Sequence, residues 1–252
     1  MQHDLYFWFL ATLSAAFVGL GKGGLPVIAL LSVPTLSLIM PTITAASVLL
    51  PVYIISDIFA LFAYRRDFKK DVLKISILGM TVGVIIGWTT AHIVIDWMVT
   101  LFIGIMGTAF AISLLVKTFP LKLDRVQINY KKGYFWCSVA GFTSFISHNG
   151  GPPWQIFVLP LGLSKSVFVG TSVIAFSYCN AIKLVPYYFL GQINEDNFKL
   201  ALNLMIPASL AVFIGVKIVK RIPEKLFFNI VSFALLLISV KLIWDGLKSA
   251  LF

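Results

Sequence analysis

Gly19-Leu20-Gly21-Lys22-Gly23-Gly24-Leu25-Pro26 interrupts an apolar run that begins at Leu5 and resumes at Val27. Without the glycines and the proline, the run would read as one long membrane helix. Backbone broken at membrane depth is tolerated only where protein buries it or where it lines a cavity. A lysine inside the break adds about 2.5–3.5 kcal/mol on insertion scales, so it is retained for a purpose or escapes to water. A second break, Ser147-His148-Asn149-Gly150-Gly151-Pro152-Pro153, interrupts another apolar run in the second half of the chain. Two breaks of this kind predict a site between them, walled by discontinuous helices.

Composition supports a membrane setting. The chain has 252 residues, of which 59% are hydrophobic and 12% charged. A water-facing surface needs far more charge than that. Uncharged runs of about 20 residues recur from end to end, each enough to cross ~30 Å of hydrocarbon. The fold class is an all-α polytopic membrane protein. The net charge of +10, from 20 Lys and Arg against 10 Asp and Glu, would suggest nucleic acid in a soluble chain. Here the basic residues cluster in short loops between apolar runs, as cytoplasmic loops do. The segment from Leu5 to Leu20 lacks a basic flank and a small-residue cleavage site, so it is expected to be a mature helix rather than a signal peptide. Cys137 and Cys179 fall in apolar helices without metal-ligand spacing and read as packing residues.

In order, the apolar segments are Leu5 to Leu20, Val27 to Met40, Ile43 to Tyr64, Val72 to Ile93 and Trp97 to Val116. A polar stretch follows. Then come Gly133 to Ile146, Trp154 to Leu161, Val167 to Leu190, Phe198 to Val219 and Leu226 to Lys248. The two halves align with a shift of about 125 to 127 positions, which sets Gly23-Gly24-Leu25-Pro26 on Gly150-Gly151-Pro152-Pro153, and Tyr53 on Tyr178. The expected organisation is a first transmembrane repeat over 1–117, a cytoplasmic linker over 118–132 and a second repeat over 133–252, together one integrated transmembrane domain. Each repeat holds five hydrophobic elements and begins with a broken-helix hairpin.

Loop charge orients the halves. Loops 65–74, 117–132 and 217–225 are rich in Lys and Arg and are expected in the cytoplasm. Loops 41–44, 91–97 and 190–197 carry neither residue and are expected outside. Equivalent loops thus fall on opposite faces, so the repeats are inverted and both termini lie on the outer, periplasmic side of the cell inner membrane. Inverted repeats place a substrate site near the midplane, where broken helices meet.

The Gly-rich break late in the first helix, its echo as His148-Asn149-Gly150-Gly151-Pro152, and Gly170-Thr171-Ser172 opening a later helix resemble the TauE/SafE sulfite exporter family. The resemblance spans nearly the whole chain. It implies transport of a small sulfur-containing anion such as sulfite or a sulfonate. Lys22 in the first break and Pro152-Pro153 after the second depart from a plain poly-glycine pattern.

Lys22 could neutralise an anion, with backbone amides of Gly21, Gly23 and Gly24 completing a cradle at the positive end of a half-helix. The alternative is a lysine that snorkels from a hairpin turn. His148, Asn149, Gly150 and Gly151 hold the mirrored position. Asn149 can donate to sulfonate oxygens, and His148 can donate or carry a co-transported proton; otherwise they form a polar turn in water. Gln155 is a candidate to line the site, whereas Trp154 reads equally as an interfacial anchor. Asp57 and Lys183 occupy adjacent aligned positions within equivalent helices, where an ion pair or gate would form. Tyr53, Tyr178, Ser172, Asn180, Ser47 and Thr171 supply further hydroxyls and an amide, although Ser47 and Ser172 also suit helix capping. Lys241 has no mirrored acid and ranks lower.

No hydrolytic, redox, metal or nucleotide motif is present, so no catalytic residue, metal ligand or cofactor is expected. The reading is a secondary transporter for a sulfur-containing anion, driven by an ion or substrate gradient. The rivals are an anion channel of the same architecture, an intramembrane enzyme built on His148, and a membrane scaffold.

Overall fold

The computed structural model describes residues 4–93, 96–117 and 127–251. It is all helical, with no strand among the described residues: α1 (Leu5–Lys22), α2 (Pro26–Ala29), α3 (Ser32–Leu36), α4 (Thr42–Tyr64), α5 (Lys70–Thr90), α6 (Asp96–Lys117), α7 (Tyr130–Ser147), α8 (Gly151–Val158), α9 (Lys165–Phe189), α10 (Glu195–Arg221) and α11 (Glu224–Leu251). Among the described residues six of these are long and apolar enough to cross a membrane. The protein is a multi-pass membrane protein. Most of the expected linker, residues 118–126, lies outside the described residues.

Caps explain several helix starts. The Asp4 carboxylate accepts from the Phe7 amide at 2.8 Å, Asn129 from the Lys132 amide at 3.0 Å, and Asn194 from the Asn197 amide at 2.9 Å. Glu195 and Asp196 open α10, and Lys220 and Arg221 close it, each matching the helix dipole.

The helices sort into two compact units: Met1–Phe68 with Val169–Ile222, and Lys69–Phe168 with Pro223–Phe252. These units do not follow the two sequence halves, because each draws elements from both. In the first unit, α1 packs on α10, and α4 packs on α1, α3 and α10. In the second, α7 packs on α5 and α8, and α6 packs on α11. Each unit therefore sets the break-bearing helix of one half against the fourth full-length or broken element of the other.

Both pairings rely on close backbone approach. A Cβ added at Gly19 of α1 would stand 2.0 Å from the Ala208 carbonyl oxygen of α10, and one at Gly83 of α5 would stand 2.0 Å from the Ser138 carbonyl oxygen of α7. Small residues let membrane helices gain contact where no hydrophobic force distinguishes protein from lipid.

The first break differs from expectation. The helix runs unbroken through Gly19 and Gly21 to Lys22, and the chain turns only at Gly23 and Gly24. Gly24 has φ of 113°, a conformation that glycine adopts without a Cβ penalty. The segment from Val27 to Met40 is two short helices, α2 and α3, rather than one. The second break follows the same plan. His148 takes φ of 56° just past α7, and the chain re-enters helix at Gly151.

Candidate functional site

The first unit holds a buried charge cluster. Lys22, the last residue of α1, is 7% exposed, and its Nζ lies 2.6 Å from Asp57 Oδ1 on α4. Asp57 Oδ2 accepts from Asn180 Nδ2 of α9 at 2.8 Å. Lys183, one turn beyond Asn180, is fully buried and lies within electrostatic reach of both Lys22 and Asp57. Asp57 stands seven residues before Tyr64, about 10 Å of helix rise from the end of α4. The ammonium of Lys22 therefore turns back into the protein instead of reaching outward to water.

The turn that aims Lys22 is held by Tyr53 and by three groups the sequence did not single out, Tyr64, Ser14 and Ser32. Tyr64 donates its hydroxyl to the Gly23 carbonyl at 2.8 Å. Ser14 donates to the Ser32 carbonyl at 2.7 Å, and the Ser32 and Tyr53 hydroxyls share a hydrogen bond at 2.7 Å. Tyr53 also donates to the Ala29 carbonyl at 3.1 Å, and its ring lies 5.2 Å from Lys22 Nζ, within cation–π range. Tyr53 thus stands beside the Lys22 ammonium, and its hydroxyl ties down the α2–α3 hairpin. Serines and tyrosines spaced through apolar runs were the one signal for this network.

The break's amides are not available as a cradle. Gly23 donates to the Gly19 carbonyl at 2.8 Å, Gly24 to Gly21 at 3.1 Å and Leu25 to Leu20 at 3.2 Å. A helix C-terminus uses its following amides to satisfy its own last carbonyls. Charge at this site comes from side chains.

The remaining first-unit candidates lie on α9 and α4. Ser172 and Thr171 are buried near its start, and Tyr178 is half-buried. Ser47 is buried near the start of α4.

His148, Asn149, Gly150, Gly151 and Gln155 fall in the second unit. His148 and Asn149 spend their amides on the Ser144 and Thr143 carbonyls at the end of α7. Asn149 donates its side-chain amide to the Ser147 hydroxyl at 3.1 Å. Gln155 is 1% exposed, and its Oε1 has no hydrogen-bond partner among the described residues. Trp154 is a core residue rather than an interfacial anchor. It is buried against Phe168, and its indole N–H donates to the Ser76 hydroxyl at 3.0 Å. A cavity of about 430 Å³ in this unit is lined by residues that include Phe110, Lys132, Trp136, Ile156 and Phe157.

Elsewhere, Lys241 pairs with Asp245 one turn along α11, both partly exposed, which accounts for it without a mirrored partner. Among the described residues no three His, Cys, Asp or Glu side chains are grouped to hold a metal ion.

The family model described as sulfite exporter TauE/SafE matches residues 5–242. No curated protein and no solved structure matches the chain.

Proposed function

The chain belongs to the sulfite exporter TauE/SafE family, and we propose that it is a secondary transporter whose first unit receives a small sulfur-containing anion, such as sulfite or a sulfonate, at Lys22. Membership implies a membrane transporter of sulfur-related anions. One observation supports the finer reading. Among the described residues the buried charged groups are Lys22, Lys183 and Asp57, two cations and one anion. Buried charge is expensive unless compensated, and the Lys22 ammonium, held 2.6 Å from Asp57, is a cation that an arriving anion would contact in place of the carboxylate.

Roles follow from position. Lys22 supplies the charge that meets the anion. Asp57 holds Lys22 in place while the site is empty, and Asn180 holds Asp57. Lys183 adds the second positive charge from α9. Tyr53 supports the ammonium with its ring. Tyr178 and Ser172 extend the polar lining along α9, and Asp57 is the first candidate for coupling. The pairing of α1 with α10 and of α7 with α5 suits the inverted five-element repeats, with both termini outside the inner membrane.

The test uses purified full-length protein in proteoliposomes. Labelled sulfite or sulfonate should accumulate in exchange for the same anion inside, because a carrier shows trans-stimulation and an open pore does not. Lys22→Ala should abolish exchange. Exchange at the wild-type rate in Lys22→Ala would remove Lys22 from the site, and flux without trans-stimulation would favour a channel.

A further inference from the structure

The second unit holds a cavity that the proposed anion site does not use. It measures about 430 Å³, within the range of small-ligand pockets. Its aromatic lining comes from Phe110 of α6, Trp136 of α7 and Phe157 of α8. In this unit α8 packs on both α6 and α7. Gly133 makes room for the Phe157 ring, since a Cβ there would stand 2.7 Å from Phe157 Cζ. The polar lining comes from one short stretch at the start of α7: Gln127, Asn129 and Lys132. Trp136 stands one turn beyond Lys132 on the same face, about 6 Å of helix rise. Along α7 the lining therefore changes from amides and an ammonium to an aromatic ring within one turn.

That pattern selects the occupant. A small hydrophilic anion would meet Lys132 and leave the aromatic lining unanswered. A plain hydrocarbon would answer the rings and leave the ammonium and amides unanswered. An amphiphile with an anionic head and an apolar tail answers both. In a bilayer, the abundant amphiphile of that kind is an anionic phospholipid. The sequence adds to the charge match. Residues 117–132 carry Lys117, Lys122, Arg125, Lys131 and Lys132 against one acid, Asp124. Such a stretch is expected beside the cytoplasmic leaflet, where anionic lipids concentrate and basic pockets between helices bind their head groups.

We propose that this cavity is an anionic-phospholipid site: the lipid phosphate meets Lys132 and Asn129, and one acyl chain enters among Phe110, Trp136 and Phe157. Asn129 uses its side-chain oxygen to accept from the Lys132 amide at 3.0 Å, so its NH2 group is the part that donates to a phosphate oxygen. The Lys132 ammonium brings three more donors. The bound lipid joins α6 to α7 and α8, the two helices that flank the second break. The site stands or falls independently of anion binding at Lys22.

Full-length protein in phosphatidylcholine nanodiscs, doped with phosphatidylglycerol whose acyl chains carry bromine, tests the site. Bromine quenches nearby indoles. Quenching should include a part that saturates as brominated phosphatidylglycerol is added, and that part should vanish in Trp136→Phe. Brominated phosphatidylcholine should give no saturable part. Lys132→Gln should raise the half-saturating fraction about fivefold, the share of one basic side chain at an anionic surface. Lys131→Gln removes the same charge from a neighbour that does not line the cavity, and should leave that fraction unchanged. Both lysines are exposed, so neither variant threatens the fold. Glycerol phosphate, a head without a tail, should not displace the lipid. Equal quenching by the two lipids, or a saturable part that survives in Trp136→Phe, would overturn the proposal. So would equal effects of Lys131→Gln and Lys132→Gln, which indicate diffuse surface attraction, or displacement by glycerol phosphate, which indicates a site for soluble anions. No saturable quenching at all would mean that the chain itself closes the cavity, and the proposal would fall.

Discussion

The two compact units are built alike and filled differently. In the first, a helix that ends at a glycine turn packs on α10 through Gly19, and in the second, α7 packs on α5 through Gly83. The buried polar residues diverge. The first unit buries Lys22, Asp57 and Lys183 along with its serines, threonine and asparagine. The described buried polar residues of the second unit are Ser76, Thr143, Ser144, Gln155, Ser232 and Ser239, all neutral. A frame repeated by packing therefore does not repeat the chemistry. Glycine contacts are a condition for two helices to meet, and they recur wherever that meeting recurs. Charge carries its own cost in a membrane and is kept only where something answers it.

The largest expected effect follows from that contrast. Lys22→Met leaves the Asp57 carboxylate buried with its Asn180 hydrogen bond but without its cation. Breaking one side of a buried pair costs about 3–5 kcal/mol, so the variant should denature well below the wild type and lose transport. The double variant Lys22→Met/Asp57→Leu removes both charges and should recover most of the stability while transport stays lost. Chemical denaturation in detergent separates these outcomes. A single variant as stable as the wild type would mean that the pair reaches water, and the contrast between the units would lose its ground.

The shared frame has its own test. Gly19→Ala in the first unit and Gly83→Ala in the second each place a methyl 2.0 Å from a carbonyl oxygen of the facing helix. Backbone cannot yield as a flexible side chain can, so each should cost about 1–3 kcal/mol, the usual range for overpacking. Similar losses in thermal unfolding would support equal roles for the two contacts. A loss at one position alone would show that the two pairings are alike in outline but not in tightness.

How much of this was legible depended on what sets each feature. The helix from Ile43 to Tyr64 was visible because length and apolarity alone make a membrane span. Its partners were not. A helix that is apolar on every side gives no face to read, so the sequence could place Asp57 opposite Lys183 by repeat alignment but could not see Lys22 reaching it from 35 positions away. The break at Gly23 and Gly24 was visible as composition. Its satisfied amides were not, because whether a turn's N–H groups point outward or back to the helix is decided by backbone angles such as the 113° φ of Gly24. Trp154 was read as readily at an interface as in a core. Its burial is possible because Ser76, far away in sequence, offers an oxygen to the indole.

The smallest expected effects probe single hydrogen bonds on either side of the comparison. Tyr64→Phe removes the hydroxyl that donates to the Gly23 carbonyl and leaves the ring in place. The expected loss is about 0.5–1.5 kcal/mol, the net value of one such bond. Because that bond secures the turn behind Lys22, anion affinity should fall with it. Gln155→Met in the second unit removes an amide oxygen that is buried without a hydrogen-bond partner among the described residues. Losing an unsatisfied polar atom relieves its desolvation cost, so stability should hold or rise by about 1 kcal/mol. Both variants are read by thermal unfolding with and without anion. If Gln155→Met instead destabilises the protein, the amide is engaged, and the second unit holds more of the polar machinery than its neutral interior indicates. If anion binding weakens in Gln155→Met while stability holds, the second break contributes directly to the site, and the division of labour between the units must be redrawn.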